Sequence, residues 1–151
     1  QKFSFDDWPA GHYETDNVAG SRNGGAIASA WAVMRYLGYS GYSERVGKIL
    51  KIKKALFAGI EDTQSVHVVG EPEGAHFAIS GMDIDMVAVG DGLAALGWLM
   101  ARATEPQSMM IQLNPLHDQI VEPFLADLKI VVDGVHDGSI TRTSGDAVYI
   151  S

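Results

Sequence analysis

The sequence predicts an α+β fold: a small, mainly antiparallel sheet covered by helices. Three observations lead there. Apolar residues recur at helical spacing in several separate stretches, short runs rich in β-branched residues lie between them, and Gly or Pro ends most of these runs. The element order is loop, helix, helix, strand, strand, helix, strand, strand, helix. No internal repeat interrupts it.

The first helix is predicted at about 24–37, where Ile27, Ala30, Trp31, Met34 and Leu37 keep one face apolar and Gly38 supplies a stop. A second helix starts at Gly41-Tyr42-Ser43-Glu44, with Val46, Ile49, Leu50, Phe57 and Ile60 inward and the lysines at 48, 51, 53 and 54 on a solvated side. Val66-His67-Val68-Val69 reads as a strand ended by Gly70-Glu71-Pro72, and His76-Phe77-Ala78-Ile79 as the next. Asp83 is the expected cap of a helix over 84–96, which Gly90 and Gly92 weaken. Strands follow at 98–103 and 109–113. The last helix covers about 119–135, with Ile120, Phe124, Leu125, Leu128 and Val132 inward and Pro123 in its first turn. The expected divisions are a loop at 1–23, a small domain at 24–135 and a flexible tail at 136–151, within which Ala147–Ile150 has strand character.

The 151 residues carry 46% hydrophobic side chains, enough for one globular core. A charged fraction of 20% and a mean hydropathy of +0.04 suit a domain that buries a face against another domain or subunit. A net charge of −8 argues against nucleic acid as partner. It leaves room for a phosphorylated ligand, which needs only a local cluster of donors. The absence of cysteine rules out disulfides and thiolate chemistry. The histidines lack metal-ligand spacing, so no metal site is expected. No apolar run reaches membrane-spanning length and the N-terminus does not read as a signal peptide. A cytoplasmic location is the expectation, compatible with an anchor further upstream.

The loop before the first helix carries the chemistry. Gly20-Ser21-Arg22 runs into a helix start, where backbone N–H groups are free and Arg22 adds a forked cation. That is a site for an anion, most often phosphate. The alternative is that Gly20-Ser21 only cap the helix while Arg22 pairs with Asp16 or Glu14. Tyr13 could turn its hydroxyl into the same site or be a packed aromatic. His12 could touch substrate or be an exposed loop residue. His117, after Pro115, reads as a helix cap.

Asp7-Trp8-x-x-Gly11-x-Tyr13 followed by Ala19-Gly20-Ser21-Arg22-x-Gly24-Gly25 resembles the sphingosine-1-phosphate lyases. These are pyridoxal-phosphate (PLP) enzymes of fold type I in the group II decarboxylase family. Further matching pieces are Trp31-Ala32, Gly38–Tyr42, Val68–Pro72, Asp85, Gly97-Trp98, Pro106 and Leu116-His117, in the family's order. The likeness covers about 5–133. It implies the small C-terminal domain of such an enzyme, with 1–23 a loop from a missing N-terminal large PLP-binding domain. It also implies a homodimer and retro-aldol cleavage of a phosphorylated amino alcohol to an aldehyde and phosphoethanolamine. Gly20, Ser21 and Arg22 would then bind the cofactor or substrate phosphate, and Tyr13 and His12 would line the substrate site. The family's Schiff-base lysine lies upstream of the Asp-Trp motif, and Lys2 is too close to that motif to be it. No catalytic residue is therefore expected in this chain, which should be inactive alone. Thr15-Asp16-Asn17 stands where the lyases carry a Ser-Pro-Thr-like run. That departure leaves open a decarboxylase acting on an amino acid. A non-catalytic binding or assembly module of the same fold is the reading from another class.

Overall fold

The computed structural model describes residues 3–7, 9–16, 20 and 22–143. It divides into two compact units, Gln1–Tyr42 and Ser43–Ser151. The expected boundary at 23/24 thus falls inside the first unit.

In the first unit, β1 (Phe3–Phe5) and β2 (Tyr13–Thr15) form an antiparallel hairpin in which Phe5 opposes Tyr13 and Phe3 opposes Thr15. This stretch reads as irregular in the sequence. Its signal is a short alternation of aromatic and polar residues, Phe3-Ser4-Phe5. Helix α1 (Gly24–Glu61) follows, starting in this unit and ending in the second. Asn23 caps it: its side-chain oxygen accepts from the Gly25 amide at 2.9 Å. The helix is interrupted at Gly38, the predicted stop, whose φ of 58° and ψ of −174° favour a residue without a side chain. It resumes at once rather than after a separate turn.

The second unit holds the core. A four-stranded antiparallel sheet runs in the order β3-β4-β6-β5. These strands are β3 (Val66–Val68), β4 (His76–Gly81), β5 (Ala101–Thr104) and β6 (Gln107–Gln112). Registers Phe77↔Ile111 and Ile79↔Met109 put these four side chains on one face. Against them the core gathers Ile52, Leu56 and Ile60 of α1, Val89 and Leu93 of α2 (Met86–Ala95), and Leu128, Val131 and Val132 of α3 (Val121–His136). Phe57 meets Phe77 edge to face at 4.9 Å, and Trp98 meets Phe124 at 5.3 Å.

Several expectations are corrected. Val46 and Leu50 are exposed, so the inward face of α1 begins later, at Ile49 and Ile52. Ile120, expected on the inward face of the last helix, is exposed in the turn before α3. Asp85, not Asp83, caps α2, accepting from Val87 N at 2.9 Å and Ala88 N at 3.3 Å. Asp83 instead sits in the preceding turn at φ 59°. Lys53 leaves the solvated row and donates to the carbonyls of Pro72 (3.0 Å) and Glu73 (2.7 Å), tying down the loop after β3. The strand expected from Trp98 starts at Ala101, because Trp98 is turned back to α3, its Nε1 donating to Asp127 at 2.7 Å. His117 lies in a 3-10 turn (His117–Ile120) without capping α3, its Nε2 2.8 Å from the Asn114 amide nitrogen.

The expected tail at 136–151 is anchored in its described part, 137–143. Arg142 forks onto Asp85, with Nε–Oδ2 and Nη2–Oδ1 both at 3.0 Å. The Thr143 amide donates to Asp91 Oδ2 at 2.7 Å. Ala147–Ile150 lies outside the described residues.

The Arg142 hydrogen bond holds the Asp85 carboxyl below its ordinary value of 3.8, helped by the amides of Ala88 and Val87 and opposed by partial burial. A depressed carboxylate stabilises the fold above its unfolded pKa, and this contribution is lost as pH falls through the folded value. Acid unfolding followed by circular dichroism should therefore show a loss of stability below about pH 4 that is weaker in Asp85→Asn. An identical acid limb in the variant would remove Asp85 from that role.

Candidate functional site

The predicted site residues all belong to the first unit. Tyr13 begins β2, half exposed, opposite Phe5 in the hairpin. With Phe3, Ser4 and Phe5 it lines an open concavity of about 600 Å³. His12, immediately before β2, is held between carboxylates: Nδ1 is 2.5 Å from Asp6 Oδ1 and Nε2 is 3.6 Å from Glu14 Oε2. It is thus an oriented ring rather than a free loop side chain.

Gly20 adopts φ 65°, a left-handed turn that glycine makes without strain, with open space where a Cβ would stand. Ser21 lies outside the described residues. Arg22 is exposed and makes no hydrogen bond or ion pair with any described residue. The expected alternatives, pairing with Asp16 or Glu14, are not formed. Nor does Gly20 cap the helix, a role that Asn23 takes.

These features suit a phosphate chemically: a guanidinium not engaged by a described carboxylate, and a glycine turn that lets main chain approach closely. They do not supply a covalent anchor for a cofactor. The described lysines, at 48, 51, 53, 54 and 129, all lie in the second unit. Lys2 lies outside the described residues. Among the described residues no group of His, Asp and Glu is placed to hold a metal, and no helix is long and apolar enough to cross a membrane.

Within this unit the described residues do not cover the apolar face of helix α1. Ile27, Trp31 and Met34 keep the predicted spacing, yet Trp31 is 62% exposed and none of the unit's described residues is buried. Large exposed apolar patches are characteristic of contact surfaces. The second unit adds a groove of about 980 Å³ lined by Trp98, Leu99, Met110, Ile120, Val121 and Phe124 among others. Sequence reasoning missed it, because its walls come from separate stretches of the chain: α1, β4, the segment 97–101, β6 and α3 with the turn before it.

No family model matches the chain. Curated relatives and solved structures do. A sphingosine-1-phosphate lyase from Oryza sativa subsp. japonica is 39% identical over 129 residues, covering 85% of this chain and 24% of the relative. A probable L-tyrosine/L-aspartate decarboxylase from Methanosphaera stadtmanae is 25% identical over 116 residues, 76% of this chain and 30% of the relative. The solved sphingosine-1-phosphate lyase of Burkholderia pseudomallei superposes with a TM-score of 0.76 at 28% identity, covering 92% of this chain and 32% of that one. A glycine decarboxylase (P-protein) structure shares the fold at a TM-score of 0.62 and 20% identity, covering 87% of this chain and 35% of that one. The chain thus spans about a quarter of the length of the curated lyase it matches. The α+β architecture is that of the small C-terminal domain of fold-type I PLP enzymes.

Proposed function

Since the chain is homologous to sphingosine-1-phosphate lyases along 85% of its length, we propose that it is the C-terminal part of a PLP-dependent carbon–carbon lyase. The reaction is retro-aldol cleavage of a phosphorylated amino alcohol to an aldehyde and phosphoethanolamine. That homology, 39% identity over 129 residues, is the observation that carries the reading. PLP, when bound by the remainder of the enzyme, supplies the electron sink for the bond cleavage.

The residues of this chain have the binding and orienting roles. Arg22 offers a forked donor to a phosphate, and the turn at Gly20, with Ser21 beside it, brings main-chain amides to the same anion. His12, fixed by Asp6 and Glu14, and Tyr13 border the substrate. Asp6, Asp7, Glu14 and Asp16 make the charge of this loop negative on balance, so the anion's place is defined by Arg22 rather than by a general positive field. The uncovered stripe on α1 and the groove beside α3 support docking onto a larger N-terminal domain and, in a homodimer, onto a second subunit. The chain alone is inactive because the Schiff-base lysine belongs to the upstream part.

A PLP-dependent amino-acid decarboxylase is the second reading, favoured by Thr15-Asp16-Asn17 and by the Methanosphaera stadtmanae relative, a probable L-tyrosine/L-aspartate decarboxylase. The two differ in product: carbon dioxide without aldehyde from the full-length enzyme decides for it.

PLP titration of the 151-residue chain, borohydride reduction and peptide mapping test the assignment. The expected result is no stoichiometric lysine adduct. One specific adduct would place a cofactor lysine within this chain and overturn the division of roles.

A further inference from the structure

After α3 the chain does not simply leave the domain. Asp137 turns it, accepting from the Ser139 amide at 2.8 Å, and Gly138 at φ 80° reverses its direction. Ile140 then returns to α3, its amide donating to the Gly134 carbonyl at 2.8 Å. Its side chain enters a socket that exists because two glycines lack side chains. A Cβ on Gly134 would stand 2.7 Å from Ile140 Cδ1, and one on Gly92 would stand 3.2 Å from Ile140 Cγ2. One of these glycines is on α3 and the other on α2. Two residues later Arg142 forks onto Asp85, the cap of α2. Thr143 then gives both its amide and its hydroxyl to Asp91, at 2.7 and 3.1 Å.

We propose that Ile140–Thr143 is a strap that locks α2 to α3 and opens as one unit. Its attachments are of three kinds: an apolar plug between the helices, a charged fork at the start of α2, and a polar pair on a buried carboxylate about 1.7 turns further on. Each fixes a different point of α2, so loss of one loosens the others through the shared backbone. Opening would expose the Gly92–Gly134 socket, remove a partner from the α2 cap, and take two donors from Asp91. The strap is thereby a conformational device of the small domain, and it controls the stability of the helix that covers the sheet opposite Arg102.

Amide hydrogen exchange of the 151-residue chain, read by mass spectrometry, tests this. In the unaltered chain the amides of Ile140 and Thr143 should be protected and should open together. Ile140→Ala is expected to speed their exchange about tenfold and Arg142→Ala about threefold. Both variants should also speed the amides of α2, toward the ceiling set by truncation after Ser139. Strap amides exchanging at the rate of unstructured peptide in the unaltered chain would overturn the proposal without recourse to any variant. So would variants that accelerate the strap while leaving α2 unchanged.

Discussion

Asp91→Ala is expected to destabilise the chain by about 3–5 kcal/mol, as breaking a buried pair by removing one partner does. Asp91 and Arg102 have side chains only 6% and 13% exposed, with Nη1 and Oδ1 2.6 Å apart. The guanidinium lies across α2 at Gly90, where a Cβ would stand 2.8 Å from its Nε. Removing the carboxylate leaves this cation in the interior without that counter-charge and takes the acceptor from Thr143 as well. A loss of this size is a large share of a domain's total stability. The urea midpoint checks it. A loss under about 1 kcal/mol would mean that Arg102 relaxes to water at little cost. Replacing both partners together by apolar residues of similar volume should recover much of the loss, since the pair itself contributes less than its breaking costs.

Leu128→Ala should cost about 2–5 kcal/mol, while Trp31→Ala should change stability by no more than about 0.5 kcal/mol. Leu128 is fully buried among α3, α2 and the sheet, and its loss opens a cavity in close-packed surroundings. Trp31 is the larger side chain, but in this chain it has little to lose, because most of its surface already meets water. The contrast inverts what residue size alone suggests. Thermal melts of both variants decide it; a large loss for Trp31→Ala would show that the α1 stripe is covered in solution by this same chain.

The parts of the fold legible in the sequence are those governed by local rules. The stripe Ile27-Trp31-Met34, the stop at Gly38, the strands around Val66 and Phe77, and Pro123 in the first turn of α3 all follow from spacing and backbone chemistry. Misreadings arose where distant residues decide. Asp83 and Asp85 are equally good caps by type, and the choice depends on which one faces the α2 amides. Gly90 and Gly92 read as flaws in a helix until Arg102 and Ile140 come against them from other elements. Val46 and Leu50 have the right spacing for burial, yet the sheet does not reach them. For the candidate site, the motif pointed to Gly20, Arg22, Tyr13 and His12, and the hairpin explains how two of these are held. The carboxylates around His12 escaped notice because Asp6 meets it only through the hairpin turn.

The strand order has a consequence for how copies of this domain can assemble. The two six-residue strands, β4 and β6, occupy the centre, and the outermost positions go to strands of three and four residues. So little unpaired backbone at the rims gives another chain scant template for adding a strand. Association is therefore steered away from continuous-sheet dimers and the open-ended stacking that leads to fibres. It is left to side-chain surfaces, whose shape complementarity can select one partner and one closed arrangement.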